Sequence, residues 1–221
     1  KQLAAASARL AFEEVFELSL AALLNKYELY KDTAISIDFK QKLAQNFVSK
    51  LPFKLTNSQR KAVWQVYQDI SRTQPMNRLL EGDVGSGKTV VAAMAALMAL
   101  EQQFQVAFMA PTEILARQHA QTLNQMLAAA GYGDMTGLLV GSLPAKQKTA
   151  LQKQIAGGQI GLIVGTHALI SDKVSIKRLG LVIVDEQHRF GVKQRAQLRS
   201  FTDHPVHLLS MTATPIPRTM A

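Results

Sequence analysis

Gly82-Asp83-Val84-Gly85-Ser86-Gly87-Lys88-Thr89 is the stretch that decides the fold. Its spacing is G-x-x-x-x-G-K-T, the Walker A pattern. The apolar lead-in from Met76 to Leu80 predicts a β-strand, and the run from Thr89 to Glu101 predicts a helix. Between them, glycines free the backbone to wrap a polyphosphate with its N–H groups turned inward. The helix N-terminus beneath adds a partial positive charge. In this setting Lys88 reaches the β- and γ-phosphates of a nucleotide and the Thr89 hydroxyl ligates Mg²⁺. The octet from Gly82 to Thr89 is therefore the candidate ATP site, with Asp83, Val84, Gly85, Ser86 and Gly87 forming its wall.

Strands and helices alternate on either side. Upstream, Thr56 or Asn57 caps a helix from Ser58 to about Ser71. Downstream, strands are expected at Gln105–Ala110, Thr136–Val140, Ile160–Val164, Leu179–Val184 and Val206–Ser210. Helices are expected at about Glu113–Ala130, from Pro144 at N1 to the Gly157-Gly158 stop, and at Lys193–Ser200. Such alternation implies an α/β fold, a mostly parallel sheet with helices on both faces. Residues 51–221 form this domain, with residues 1–50 a helical appendage ahead of it. In the appendage, Phe12, Phe16, Leu20, Leu23, Leu24 and Tyr27 recur at helical spacing within Arg9–Tyr30. That stripe is expected to pack on a neighbouring helix or on the main domain. A second helix is expected over 39–50, ended by Leu51-Pro52.

A phosphate loop needs an acidic partner, and Leu181-Val182-Ile183-Val184-Asp185-Glu186 supplies one. Ligands of a parallel α/β sheet sit at the carboxyl ends of its strands. Asp185 thus emerges beside the loop to hold Mg²⁺, and Glu186 stands ready to orient and deprotonate an attacking water.

The composition narrows the setting. The net charge is +9, with no long Lys/Arg block, so a basic surface suited to a polyanion is spread over the fold. There is no cysteine, which excludes disulfides and thiolate metal sites and fits the cytoplasm. No apolar run approaches the ~18 residues of a membrane span, so no membrane partner is expected. The chain opens inside helix-like sequence and stops at Ala221, and is expected to be a piece of a longer protein.

The tetrad Asp185-Glu186-Gln187-His188 is similar to the DExH box of superfamily-two helicases. More specifically, Asp83 to Thr89, Ala110-Pro111-Thr112-Glu113, Asp185 to Val192 and Met211 to Thr219 resemble the RecG family of DNA helicases, as does Arg9 to Glu14. The resemblance covers essentially the whole chain. The transcription-repair coupling factors are similar too, but they typically carry Glu where this chain has Gln187.

The resemblance implies a RecA-like motor domain, the first of two, that couples ATP hydrolysis to movement on branched duplex DNA such as forks and Holliday junctions. It implies a cytoplasmic, monomeric DNA-repair enzyme. It assigns Gln59 to adenine sensing, with Phe53 or Trp64 as a stacking ring. Trp64 is also well suited to the core. It gives Pro111, Thr112, Gly165, Thr166 and His167 to the nucleic-acid backbone, where Thr112 and Thr166 serve equally as helix caps. Gly141-Ser142 is a weaker third member. It makes His188 part of the catalytic tetrad, and Gln187, Thr212 and Thr214 the coupling residues. If the sheet has RecA-like order, the strand ending at Thr212 lies between the Walker A and Asp185 strands. His119, His204 and His207 carry no motif and are expected to be surface or core residues.

The family places an arginine finger on the second RecA-like domain, and such a finger supplies ~10³–10⁵ in rate. Neither that domain nor a wedge domain follows, so this piece alone is expected to bind ATP weakly and hydrolyse it slowly. A kinase would need an acceptor pocket and a transporter ATPase its own signature loop. A non-catalytic module would not need Lys88, Thr89, Asp185 and Glu186 together.

Overall fold

Leu179–Asp185 is buried along its whole length, which requires cover on both of its faces. The computed structural model describes residues 2–31, 33–166, 169, 174–186 and 205–213. The chain order is α1 Gln2–Lys31, α2 Gln41–Ser49, α3 Asn57–Ile70, β1 Asn77–Glu81, α4 Lys88–Glu101, β2 Gln105–Met109, α5 Glu113–Ala128, a 3₁₀ turn Gly133–Met135, β3 Thr136–Leu139, α6 Ala145–Ala156, β4 Leu162–Gly165, β5 Leu179–Asp185 and β6 His207–Thr212. Among the described residues the strands form one six-stranded sheet in the order β1-β6-β5-β2-β4-β3. Every pairing is parallel. The sequence-predicted expectations at 193–200 and 214–221 lie outside the described residues.

Alternation along the central strands divides the core in two. Val106, Phe108, Leu181 and Ile183 point to one face and pack with α3, α4 and α5. Ala107, Met109, Val182 and Val184 point to the other, against Ile155 of α6 and the segment through Val174 and Ile176. Helix α4 is apolar all round and buried from Val90 to Leu100, as a helix wedged between two others and a sheet must be. β6 lies between β1 and β5, where a RecA-like order places it.

Two apolar expectations do not hold. The α1 stripe is uncovered by the described residues: Phe12 and Phe16 stack on each other and remain more than half exposed. Leu10, Val15 and Leu18 are exposed as well, so apolar side chains are spread around α1 rather than gathered on one seam. Trp64 is also half exposed. Val63, Val66, Tyr67 and Ile70 take the inward positions of α3, leaving Trp64 at the margin with its ring edge-on to Phe39.

A strap over residues 33–38 closes the end of the sheet opposite the carboxyl ends. Ala34 and Ile37 donate to the carbonyls of Thr73 and Ile70. Asp38 and Gln102 exchange a reciprocal pair of bonds at 3.0 Å. At the centre is His207, fully buried at the start of β6. Its Nδ1 accepts from the Met76 backbone N–H at 3.0 Å, so its Nε2–H donates to the Ile35 carbonyl at 2.7 Å. Accepting at Nδ1 requires the neutral ring, since a protonated Nδ1 has no lone pair for the Met76 N–H. Ile37, Ala44 and Phe47 belong to the same core as α3 and α4.

Burial holds the His207 imidazole below its ordinary pKa of 6.5, against smaller upward pulls from the Ile35 bond and from Asp69. The unfolded chain therefore binds more protons than the folded one below the ordinary value, and stability rises with pH there. The His207 contribution is fully present above 6.5 and is lost as pH falls through the lowered folded value. In urea unfolding between about pH 5 and 8, the chain loses stability toward the acid end. His207→Asn is expected to be less stable at neutral pH and to show a flatter acid slope.

Candidate nucleotide site

The loop begins where β1 ends, and its first amide is tied down at once. The Gly82 N–H donates to the Thr212 carbonyl of β6 at 3.2 Å. The Ser86 N–H closes a turn on the Asp83 carbonyl. Gly85 and Gly87 adopt left-handed backbone at φ 79° and 82°, which glycine alone adopts at no steric cost. α4 then starts at Lys88, and no side chain among the described residues caps it. The Val90 N–H turns back to the Gly87 carbonyl at 3.1 Å, and no side-chain cap takes the N–H groups ahead of it.

Lys88 folds back over its own loop. Its Nζ donates to the carbonyls of Gly82 at 2.5 Å and Asp83 at 3.0 Å. Gln59 reaches the loop from α3. Its Oε1 accepts from the Thr56 N–H at 2.9 Å in a capping box, and its Nε2 donates to the Ser86 carbonyl at 2.8 Å. The cap choice left open between Thr56 and Asn57 thus falls to Thr56. The carboxamide expected to sense adenine is here engaged with the phosphate loop. A Cβ on Gly87 would collide with Gln59 Nε2.

Asp185 ends β5, buried, with Met211 as its β6 partner. Met211 in turn pairs with Leu80 of β1. Two strand spacings, roughly 10 Å, therefore separate the Asp185 backbone from β1, two residues before the loop begins. Asp185 Oδ1 accepts from the Glu186 N–H at 3.1 Å, and Oδ2 accepts from His119 Nε2 at 2.7 Å. Glu186 has φ 52°, a left-handed conformation rare outside glycine. Thr212 is buried beside them at the end of β6.

The remaining half of the same sheet edge gathers a second set. β2 and β4 end together, with Met109 opposite Gly165, and the Ala110 N–H donates to the Gly165 carbonyl at 2.8 Å. Pro111 and Thr112 follow one strand and Thr166 follows the other. Thr112 caps α5 through the Leu115 N–H at 3.3 Å. Gly165 lies so close to the Leu139 carbonyl that a Cβ would collide with it, a strand-packing reason for glycine there. Ser142, beyond β3, docks onto α5. Its N–H and hydroxyl donate to the Glu113 carboxylate at 3.1 and 2.5 Å, and Arg117 donates to its Oγ at 3.1 Å. The Ser142 hydroxyl bond, first among several causes, lowers the pKa of the exposed Glu113.

Thus β1, β6 and β5 present Gly82 to Thr89, Thr212, Asp185 and Glu186. β2, β4 and β3 present Pro111, Thr112, Gly165, Thr166 and Ser142. His167, Gln187, His188 and Thr214 lie outside the described residues. His119, which sequence reading left without a role, joins the two sets through its bond to Asp185. The signals were its place two helical turns after Thr112 and the adjacency of β2 and β5, and the second is invisible without the sheet order. Among the described residues no group of three or more His, Asp or Glu converges as a metal cage.

The sequence model of DEAD/DEAH box helicases matches residues 56–221. The chain belongs to this family. It is 49% identical to the ATP-dependent DNA helicase RecG of Aquifex aeolicus over 96% of this chain and 27% of that protein. It is 46% identical to the RecG helicase of Synechocystis over its full length and 26% of the relative. The solved structure of RecG bound to a three-way DNA junction superimposes with a TM-score of 0.82 at 44% identity, covering 96% of this chain and 28% of that one. The chain thus spans about a quarter of the length of these RecG helicases. The fold is RecA-like, as expected. No helix among the described residues is long and apolar enough to cross a membrane.

In this helicase domain Gly87→Ala is expected to cost ~1–2 kcal/mol for the left-handed backbone, with a smaller further cost because the Gln59 carboxamide must swing aside and give up its bond to Ser86. Gly131→Ala, at φ 93° with nothing within 4 Å, carries the backbone cost alone. Chemical denaturation of both variants should find Gly87→Ala the less stable.

Proposed function

We propose that this chain is the ATP-binding motor domain of a DNA helicase that couples ATP hydrolysis to movement on branched duplex DNA, such as forks and Holliday junctions, in repair and recombination. One observation carries the reading: the glycine loop after β1 and the carboxylate ending β5 share one sheet edge with a single strand, β6, between them. Residues 51–221 are the domain proper, and residues 1–50 are an appendage whose second half packs on the same core. The whole protein carries a second RecA-like domain and a wedge domain, and acts in the cytoplasm as a monomer.

Lys88 exchanges the Gly82 and Asp83 carbonyls for β- and γ-phosphate oxygens, and the amides from Gly82 to Thr89 receive the rest of the polyphosphate. Gln59 releases Ser86 and turns its carboxamide to the N6 and N7 edge of adenine, the pairing by which Gln reads that base in DNA. The Thr89 hydroxyl and the Asp185 carboxylate are hard oxygen donors, and a buried carboxylate beside a phosphate loop fits Mg²⁺. When bound there, the ion supplies charge neutralisation to the phosphates. Glu186 accepts the proton of the attacking water, and His188 completes the tetrad. Gln187, Thr212 and Thr214 pass the nucleotide state to the grip. Pro111, Thr112, Gly165, Thr166 and His167 hold the nucleic-acid backbone through N–H groups and small hydroxyls, contacts that do not read sequence. Those grips do not tell DNA from RNA; the likeness to RecG favours DNA.

Glu186→Gln in the full-length protein tests the assignment. Binding of a fluorescent ATP analogue is expected to stay within about two-fold of wild type, while DNA-stimulated hydrolysis falls by ~10²-fold or more. Hydrolysis at the wild-type rate would refute the role of Glu186. ATPase rates on forked DNA, linear duplex and RNA measure the partner, with the fork expected to stimulate most.

A further inference from the structure

We propose that His119 is a positioning residue that fixes the metal-side carboxylate and ties it mechanically to the nucleic-acid side of the domain. The inference rests on the motor reading above and adds a link within it. His119 Nε2–H donates to Asp185 Oδ2 at 2.7 Å, and both side chains are largely buried. The imidazole lies against the Phe108 ring, with centroids 4.7 Å apart, so its orientation is set by packing as well as by the bond. Asp185 Oδ1 is held independently by the Glu186 N–H. With each oxygen taking one N–H, the carboxylate plane is fixed from two sides, and lone pairs remain for an ion. Outer partners of this kind orient a ligating carboxylate and are worth ~10–100-fold in metal affinity or activity.

The second half of the inference follows from where His119 is mounted. It stands seven residues after Thr112, the N-cap of α5, and so about two helical turns, ~10 Å, along the axis from that cap. The N-terminal turn of α5 carries Thr112 and Glu113, and Glu113 holds the Ser142 loop. A helix is stiff along its axis. A shift of its first turn on a nucleic-acid backbone therefore reaches Nε2, and with it the orientation of Asp185. Sheet order makes this possible: β2, which launches α5, is the direct neighbour of β5. The His119–Asp185 bond joins the two halves of the edge at side-chain level, and it connects grip to metal without passing through the nucleotide.

The test uses the full-length protein and its affinity for a fluorescent ADP analogue, titrated with Mg²⁺ with and without forked DNA. His119→Phe keeps a ring against Phe108 and removes the donor. His119→Gln restores a donor at the same number of bonds from the backbone. The Mg²⁺ concentration at half-maximal tightening is expected to rise ~10–100-fold in His119→Phe, and to return to within about three-fold of wild type in His119→Gln. Forked DNA is expected to shift that midpoint in wild type and His119→Gln but not in His119→Phe. Thermal unfolding is followed in parallel. If His119→Phe fails to fold, His119→Asn, which is one bond too short, takes its place with the same expected shift. An unchanged midpoint in the donor-less variant overturns the proposal, as does a His119→Gln variant as impaired as His119→Phe, since that assigns the effect to packing. A wild-type protein with no Mg²⁺-dependent nucleotide binding overturns the motor reading and this link together, an outcome distinct from the other two.

Discussion

Parallel pairing of every strand is the constraint on which the rest depends. It sends all six carboxyl ends of the described strands to one edge, so each loop that follows such a strand opens on the same side. Burial of both sheet faces is its condition, and the unbroken apolar runs of β2, β4 and β5 meet it. Without helices on both faces those runs would have no cover, and the Walker A loop and Asp185 would have no common edge.

Within that edge the phosphate loop satisfies its own groups. Lys88 neutralises two carbonyls of the loop, and Gln59 takes a third. On the proposed reading these are the bonds that a nucleotide would replace, and a charge-assisted bond to phosphate is stronger than one to a neutral carbonyl. Glu186 stands at φ 52°, and non-glycine residues in that region persist only where their surroundings enforce it.

Much of this was legible in the chain itself. Strand positions followed from apolar runs bounded by Gly, Pro and charged residues, and the predicted strands recur within a residue or two. The placement of β6 between β1 and β5 came from family order, because nothing in Val206 to Ser210 says which strands it joins. Pro144 is the cap rather than the first helical residue of α6, a one-position difference at a helix end. The larger misses share a cause. The α1 stripe rests on periodicity, which says which residues share a face but not what covers it, and Trp64 is matched to the core by residue type alone. His119 and His207 have no motif because their partners, Asp185 and Ile35, lie far away in sequence and meet them only through the sheet. Gln59 enters the sequence reading as an adenine sensor; its bonds to Thr56 and to the Ser86 carbonyl of the loop depend on atomic positions that no spacing encodes.

β6 has a mechanical meaning that its shortness conceals. One end is bolted to the strap by His207, and the other holds the first amide of the phosphate loop through the Thr212 carbonyl. Six extended residues span roughly 17 Å, with both flanks hydrogen-bonded to neighbours. Such a strut barely stretches. Tension arriving along the chain from the α1 side is therefore delivered to the base of the sheet and carried axially toward Gly82, so strap and loop cannot slide apart along that axis without rupturing a buried bond.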